Sequence, residues 1–293
     1  MGALEGRVVV VTGAGRGLGR SHAMAMAAEG ARVLVNDVGV AGDGGVGDGT
    51  PVAALVVDEI RAAGGIAEAD TSDVADWSGA EALVAAAVHH FGDLDVVVNN
   101  AGFLRDRAIV TMTEADWDDV VRVHLKGHFA VTHWAAVHWR EAHKDGVRRR
   151  RSLIHTASTS GLFANPGQSN YGAAKSGIVT LSQIAAQELA RYGVVSNCIV
   201  PGARTRLTLA SPGLSEIMAP APGGFDEWDP ANVSPLVVQL ASEGCTVNGE
   251  TFSISGRMLQ RMHPWTTGEL VESSGPWTLE GIRSALERIR SAG

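Results

Sequence analysis

Tyr171 and Lys175 stand four residues apart in the stretch "SNYGAAK", in a chain that has only two tyrosines. Residues at i and i+4 share one face of a helix, so their side chains can meet. A free phenol ionises at about pH 10, too high for ready proton exchange in neutral water. An ammonium within about 4–6 Å favours the phenolate and lowers that value. A fall of about two or three pH units would bring the group to where general acid–base exchange is efficient. The pair is therefore expected to form a proton donor and acceptor, with Lys175 depressing the Tyr171 pKa.

A second set of residues suits a dinucleotide. Gly13, Gly15, Gly17 and Gly19 punctuate "TGAGRGLG", with Arg16 and Leu18 among them. They lie between an apolar run and a helical pattern, where backbone N–H groups and a positive helix end meet a pyrophosphate. Asp37 follows the second apolar run. Its carboxylate can accept hydrogen bonds from an adenosine ribose and would repel a 2′-phosphate, so NAD is expected over NADP. Arg16 pulls the other way, since a basic residue in this loop could pair with that phosphate. Asp73 and Val74 in "DTSDV" follow the third run and are offered to the adenine. Asn100, Ala101 and Gly102 in "NNAG" close the fourth, beside the cofactor.

The elements that must position these residues are legible as alternation. Short apolar or β-branched runs at 7–12, 31–36, 65–70, 94–99, 152–157, 194–200 and 251–255 read as strands. Helical periods near 17–29, 52–63, 77–91, 115–142, 170–191 and 233–242 separate them. This order predicts an α/β fold, a doubly wound parallel sheet of Rossmann type with about seven strands in a single domain. The domain is expected over 1–256. It carries a Gly-rich insert at 39–51 and a Pro- and Gly-rich substrate loop at 201–230, and a C-terminal extension follows over 257–293.

Bulk properties narrow the function further. Twenty-four basic and 32 acidic residues give a net charge of −8, which argues against a nucleic-acid partner. The run "RRRR" at 148–151 reads as a solvated loop before a strand. No apolar stretch approaches the roughly 20 residues that span a bilayer, and no leader pattern opens the chain. No membrane insertion and a cytoplasmic location are expected. Cys198 and Cys245 read as buried apolar residues in a reducing compartment. His124 and His128 have a zinc-compatible spacing but no acidic or cysteine partner, so no metal is expected.

"TGAGRGLG", "NNAG", Ser158, "YGAAK" and "PG" at 201–202, in this order, resemble the short-chain dehydrogenase/reductase family over about residues 5–256. A narrower likeness, in "VNDVG", "NNAGFLRDR", "VHLKGHF" and "GQSNYGAAKSG", is to the (3R)-hydroxyacyl-CoA dehydrogenase unit of peroxisomal multifunctional enzyme type 2 and its bacterial relatives. The resemblance implies that Ser158 donates to the substrate oxygen while Tyr171 moves the proton, and that Lys175 bonds the nicotinamide ribose. It places His124 where the general family has an asparagine that anchors a relay water. It sets Pro201, Gly202 and Thr205 against the nicotinamide amide. It implies a homo-oligomer, a homotetramer or homodimer, formed through the central helix and the helix of Tyr171.

The reaction so implied interconverts a secondary alcohol and a ketone with NAD. A lipid-like 3-hydroxyacyl thioester is the first substrate and a hydroxysteroid the alternative. A catalytically silent NAD-binding regulator is the rival of another class. For a thioester on an anionic carrier, Arg105, Arg107, Arg204 and Arg206 are expected at the carrier's phosphates. Phe103, Leu162, Phe163 and Leu207 are expected along the acyl slot.

Overall fold

The computed structural model describes residues 2–209, 214–220, 223–263 and 265–292. The chain divides into two compact units, residues 1–262 and 263–293. The first contains the strands β1 (Val8–Thr12), β2 (Arg32–Asn36), β3 (Ile66–Asp70), β4 (Val96–Asn99), β5 (Arg151–Thr156), β6 (Val194–Gly202), β7 (Thr251–Ser255) and β8 (Met258–Met262). Its helices are α1 (Gly17–Ala28), α2 (Val52–Ala62), α3 (Trp77–Phe91), α4 (Glu114–Val121), α5 (Gly127–Lys144), α6 (Thr159–Phe163), α7 (Ser169–Glu188), α8 (Arg206–Leu209), α9 (Leu214–Ile217) and α10 (Ser234–Ala241). The second unit holds α11 (Leu279–Ala292), where the Thr278 hydroxyl accepts from the Gly281 N–H.

One sheet runs in the order β3-β2-β1-β4-β5-β6-β7-β8. Its first seven strands pair in parallel and β8 is antiparallel to β7. Alternate side chains of β1 serve two cores, as a strand covered on both faces requires. Val9 and Val11 pack with Val33, Val35, Val96 and Val98 against Met26 of α1, Val56 and Ile60 of α2, and Val237 and Leu240 of α10. Val8 and Val10 pack with Leu34, Val97 and Leu153 against Leu83 and Val84 of α3, and Val131 and Trp139 of α5. The strand order reverses between β1 and β4. That reversal opens a crevice at the carboxyl ends of the strands, the usual ligand position in such sheets.

The structure refines three expectations. The sheet has eight strands rather than about seven, because the chain turns back at Gly256 (φ +50°) and Arg257. Ser255 faces Met258 across this two-residue hairpin, so the first unit extends to residue 262. The central helix is helical throughout 114–144 but not uniformly α-helical. Residues Arg122–Lys126 form a π-helical turn between α4 and α5. The "RRRR" run is a solvated loop only in part: Arg148 and Arg149 are exposed before the strand, but the run ends inside it. Arg151 is buried in β5 and pairs with Asp93 and Asp95, at 3.0 and 3.1 Å. Arg149 reaches Asp93, Arg150 donates to the Cys245 carbonyl, and Arg148 donates to the His143 carbonyl. Asp95 also accepts the Val8 N–H at 2.9 Å, so these charges knot the amino ends of the central strands.

His22, His124, His128 and His155 are fully enclosed. Burial lowers His22, His124 and His155 to about 3 and holds His128 well below the ordinary value. An imidazole whose folded pKa is depressed leaves the unfolded state holding more protons below about pH 6.5. Stability should therefore be complete above that pH and decline as the pH falls toward 3. The slope should reach about 1.4 kcal/mol per pH unit for each imidazole. Urea midpoints measured from pH 7.5 to 4 will check this, and a midpoint that does not fall in that interval would contradict it.

Candidate active site

The glycine turn after β1 is built by close approach. A Cβ on Gly13 would lie 2.7 Å from the Ala101 Cα, and one on Gly19 would overlap the Gly13 carbonyl oxygen. A Cβ on Gly15 would overlap the Val52 side chain. Gly13 and Gly17 also adopt positive φ, +62° and +53°, which favours glycine. The turn therefore feeds α1 tightly against β4 and leaves its first N–H groups without helical partners.

Those groups border a cavity of about 320 Å³. Gly13, Arg16, Gly17, Leu18 and Gly19 line one side. Asp37, Asp73 and Val74 line another, with Asn100, Ala101, Gly102 and Thr205 beyond them. The structure thus gathers most of the expected cofactor residues around one space. Gly15 stands behind the wall and donates its N–H to Asp37 Oδ2 at 2.9 Å, while Gly39 N donates to Oδ1 at 2.8 Å. A carboxylate has about four lone-pair sites, so two backbone bonds fix its orientation and leave acceptors free. Arg16 lies 3.8 Å from Asp48 of the insert. Asp73 is partly engaged, accepting from Arg122 at 3.0 Å. Pro201 and Gly202 end β6 and pair with Ile254 and Ser255 of β7.

The cradle fits a dinucleotide. Its glycines exclude side chains, a helix start offers N–H donors for phosphates, and an oriented carboxylate offers acceptors for ribose hydroxyls. The insert forms part of the wall through Val40, Ala41 and Gly44. Three contacts hold it there: Leu104 N to the Gly42 carbonyl, Arg105 Nε to the Asp43 carbonyl, and Arg206 to the Val40 carbonyl.

Ser158 ends the β5 segment as the N-cap of α6, its Oγ accepting from Ser160 N at 3.2 Å. Its hydroxyl lies close enough to the Tyr171 phenol to lower the phenol's pKa. Lys175 is buried one turn along α7. Its Nζ donates to the Thr156 carbonyl at 2.6 Å and lies 5.4 Å from the Tyr171 ring centre. The shared helix face is therefore present, but the expected depression of the tyrosine is not. Burial raises Tyr171 to about 12, only partly countered by the Ser158 hydroxyl, and Asp106 adds to the rise. Burial also lowers Lys175 to about 7. Removal from water weakens the ammonium that was expected to stabilise the phenolate.

His124 reaches the site through the π-helical turn. Its ring meets that of Tyr171 edge-on at 5.1 Å, and its Nε2 lies 2.8 Å from the Phe103 carbonyl. Gly102 must be glycine, because a Cβ there would overlap the imidazole. Among the described residues no group of three or more His, Cys, Asp or Glu side chains is placed to hold a metal. No described helix is long and apolar enough to cross a membrane.

Several groups that organise the site are absent from the sequence reading. The Thr12 hydroxyl accepts the N–H groups of Asn100 and Ala101, tying β1 to "NNAG". Gln168 donates to Asp106 at 2.8 Å and accepts from Ser160 Oγ at 2.7 Å. Asn170 donates to the Arg105 and Asp116 carbonyls and accepts the Tyr171 N–H. Gln168 and Asn170 flank Ser169 just before Tyr171, a local cluster of amides, but Asp106, Arg105 and Asp116 among their partners lie more than 50 residues away.

The substrate expectations change more. Arg105 pairs with Asp119 at 2.6 Å, and Arg204 makes two bonds to Asp226, so local carboxylates take both. Arg107 and Arg206 make no ion pair among the described residues. Phe103 is buried against Gly44 of the insert and lines the cavity beside it. Leu162 packs on an inner cluster, Phe163 is largely exposed, and Leu207 lines the cavity. The expected substrate loop falls partly on residues 210–213 and 221–222, outside the described residues.

A family model described as short chain dehydrogenase matches residues 7–210. The chain is 43% identical over 272 residues to hydroxyacyl-CoA dehydrogenase ChsB1 of Mycobacterium tuberculosis, covering 89% of this chain and 81% of that protein. It is 41% identical over 291 residues to peroxisomal multifunctional enzyme type 2 of Mus musculus, covering 97% of this chain and 37% of the mouse protein. The chain thus spans little more than a third of that enzyme's length. The crystal structure of a short chain dehydrogenase from Mycobacterium avium matches at TM-score 0.88 and 46% identity, over 99% of this chain and 96% of that one. A more distant structure, a short chain dehydrogenase from Burkholderia cenocepacia in complex with NADP, matches at TM-score 0.74 and 26% identity, over 87% of this chain and 98% of that one. The chain therefore belongs to the short-chain dehydrogenase/reductase family, oxidoreductases that work with a nicotinamide cofactor.

Proposed function

We propose that this oxidoreductase interconverts a 3-hydroxyacyl thioester and its 3-oxoacyl counterpart, with NAD(H) as the cofactor. The observation that carries the chemistry is the Ser158 hydroxyl beside the Tyr171 phenol, with Lys175 buried one turn along the same helix. The likeness to a hydroxyacyl-CoA dehydrogenase over most of the chain supports the substrate class. The residues bordering the cavity would hold the dinucleotide, with its phosphates at the glycine turn and its adenosine ribose at Asp37. A bound nicotinamide supplies the hydride acceptor in one direction and the hydride donor in the other.

The chain's own groups handle the oxygen. In reduction, Ser158 donates a hydrogen bond to the carbonyl oxygen and Tyr171 gives it a proton, completing the alcohol. In oxidation, Tyr171 takes the alcohol proton as the C–H bond is lost. With its pKa raised to about 12, the resting phenol is protonated at neutral pH, the state that reduction consumes. Lys175 keeps one N–H on the Thr156 carbonyl and has others for the nicotinamide ribose. A homodimer or homotetramer remains part of this reading. The partly exposed aromatic cluster of Trp77, Phe129, His133 and Trp134 on α3 and α5 supports it.

Removing the proton path should separate chemistry from binding. Tyr171→Phe is expected to lower turnover by at least about 10²–10⁴-fold while leaving NADH affinity near that of the parent. A variant that keeps more than about a tenth of parental turnover, with chemistry rate-limiting, would sink the assignment.

Asp37 is the residue on which cofactor choice turns. NAD should bind more tightly than NADP, and Asp37→Ala should narrow the difference. Fluorescence titration with both cofactors measures this, and tighter NADP binding by the parent protein would show that Arg16 outweighs the carboxylate.

Arg107 and Arg206 are the cations left for an anionic carrier. Arg206→Ala should raise KM for a (3R)-hydroxyacyl-CoA about two- to fivefold and leave a truncated thioester unaffected, with the difference shrinking as salt rises. Equal efficiency on both thioesters in the parent, or activity confined to steroid alcohols, would move the substrate to the hydroxysteroid class.

A further inference from the structure

Helix α1, whose first turn borders the cofactor cavity, is joined to α10 by a short chain of polar side chains. Ser234, the first residue of α10, is buried and meets two residues of α1. Its Oγ lies 2.9 Å from His22 Nδ1 and 2.8 Å from Ser21 Oγ. Two hydroxyls and one ring nitrogen thus form a single chain, whichever way its protons point. His22 is fully enclosed, and burial lowers its pKa to about 3, so the ring is neutral at working pH. Its Nε2 is buried without a partner among the described residues, so the bond to Ser234 is what offsets the enclosure of this imidazole.

These two contacts are the hydrogen bonds that join α1 to α10 among the described residues. Outside them, a groove of about 800 Å³ separates Met24 and Ala25 of α1 from Asp229, Pro230 and Ala231. Gly17 borders both this groove and the cofactor cavity.

Ser234 also leads to the opposite wall of the cavity. Two residues earlier, Asn232 Nδ2 donates to the Asp226 carbonyl at 2.8 Å. The Asp226 carboxylate takes two bonds from Arg204, whose own N–H donates to the Trp228 carbonyl at 2.6 Å. Arg204 precedes Thr205, Arg206 and Leu207, which line the cavity. The Thr205 methyl sits over Gly17, where a Cβ would stand 3.5 Å from it. The two walls therefore touch at Gly17 and Thr205 and are fastened again one turn along α1, at Ser234.

We propose that His22 and Ser234 are positioning residues for the cofactor: acting through the Arg204–Asp226 fastening, their hydrogen bond sets the spacing between the start of α1 and Thr205–Leu207. Neither residue lines the cavity. The inference rests on reading that cavity as the dinucleotide site. A ligand that contacts both walls binds more tightly when they are spaced beforehand, because less ordering is left for the binding step.

The test is fluorescence titration with whichever of NADH and NADPH the parent binds more tightly, beside melting temperature and kcat. Ser234→Ala and His22→Leu should raise Kd about fivefold, the factor for one net hydrogen bond, and leave kcat at saturating cofactor within about twofold. His22→Asn keeps a polar atom near the place of Nδ1 and should recover most of the loss. Val237→Ala loosens the core side of the same helix without touching the chain, and should lower the melting temperature alone. Asp226→Ala should also raise Kd, and combined with Ser234→Ala it should add little, since contacts along one path are not additive. Unchanged Kd in Ser234→Ala and His22→Leu overturns the proposal, whatever their melting temperatures. An equal rise in Val237→Ala overturns it, since packing alone would then be responsible, and so does full additivity with Asp226→Ala. If His22→Leu does not fold, Ser234→Ala, which removes a single oxygen, decides. Unmoved variants of a parent that binds cofactor defeat this inference alone. A parent that binds neither cofactor defeats the dinucleotide reading itself.

Discussion

The contact of the Gly19 Cα with the Gly13 carbonyl is the constraint from which the site follows. No side chain fits there, so α1 can leave β1 at a short distance and at one angle. That angle sets the first N–H groups of α1 beside the reversal of strand order between β1 and β4. Thr12, the last residue of β1, then fixes the opposite lip by accepting the N–H groups of Asn100 and Ala101. The cleft is therefore a product of backbone packing, and Asp37 and Arg16 only tune what it selects.

A second constraint acts on the chemistry. Lys175 is taken out of water and Ser158 and Tyr171 are half-buried, and burial moves the two titrating members in opposite directions. Tyr171 is held as a phenol, and Lys175 approaches neutrality. Geometry compensates for the weakened electrostatic coupling. Asn170 pins the start of α7 to the 105 and 116 backbone, and Gln168 links Ser160 to Asp106. The π-helical turn does the same for His124. It interrupts a helix that would otherwise run straight, and such turns frequently mark functional sites.

Charge is treated differently at the two ends of the sheet. At the amino ends, Arg149 and Arg151 pair with Asp93 and Asp95, and His138 and Arg151 keep the Asp93 carboxyl below its usual range despite its burial. These pairs, buried at Arg151 and Asp95, hold strands β1, β4 and β5 together where no ligand is expected. At the carboxyl ends, Lys175 has no carboxylate partner among the described residues, and its charge acts on the neutral imidazoles of His124, His128 and His155. An ion pair there would hold the lysine in place and also fix its charge. The arrangement found leaves the charge responsive to what binds.

The sequence by itself determined the alternation of seven strands with helices, the glycine turn, Asp37 and the Tyr171–Lys175 spacing, while Ser158 came from the family resemblance. These are local signals, because period, turn residues and i, i+4 offsets are written within a few residues of each other. Strand β8 escaped because "MLQRM" lies at the sheet edge with mostly exposed side chains and no alternation to betray it. The fates of the arginines were equally hidden. Whether Arg105 meets a phosphate or Asp119, and whether the "RRRR" run is solvated or locked on Asp93 and Asp95, depends on residues far away in the chain. The tyrosine's pKa was misjudged for the same physical reason. Spacing along a helix shows that two groups can meet, but only the packed interior decides how much water they keep, and here burial outweighs the neighbouring charge.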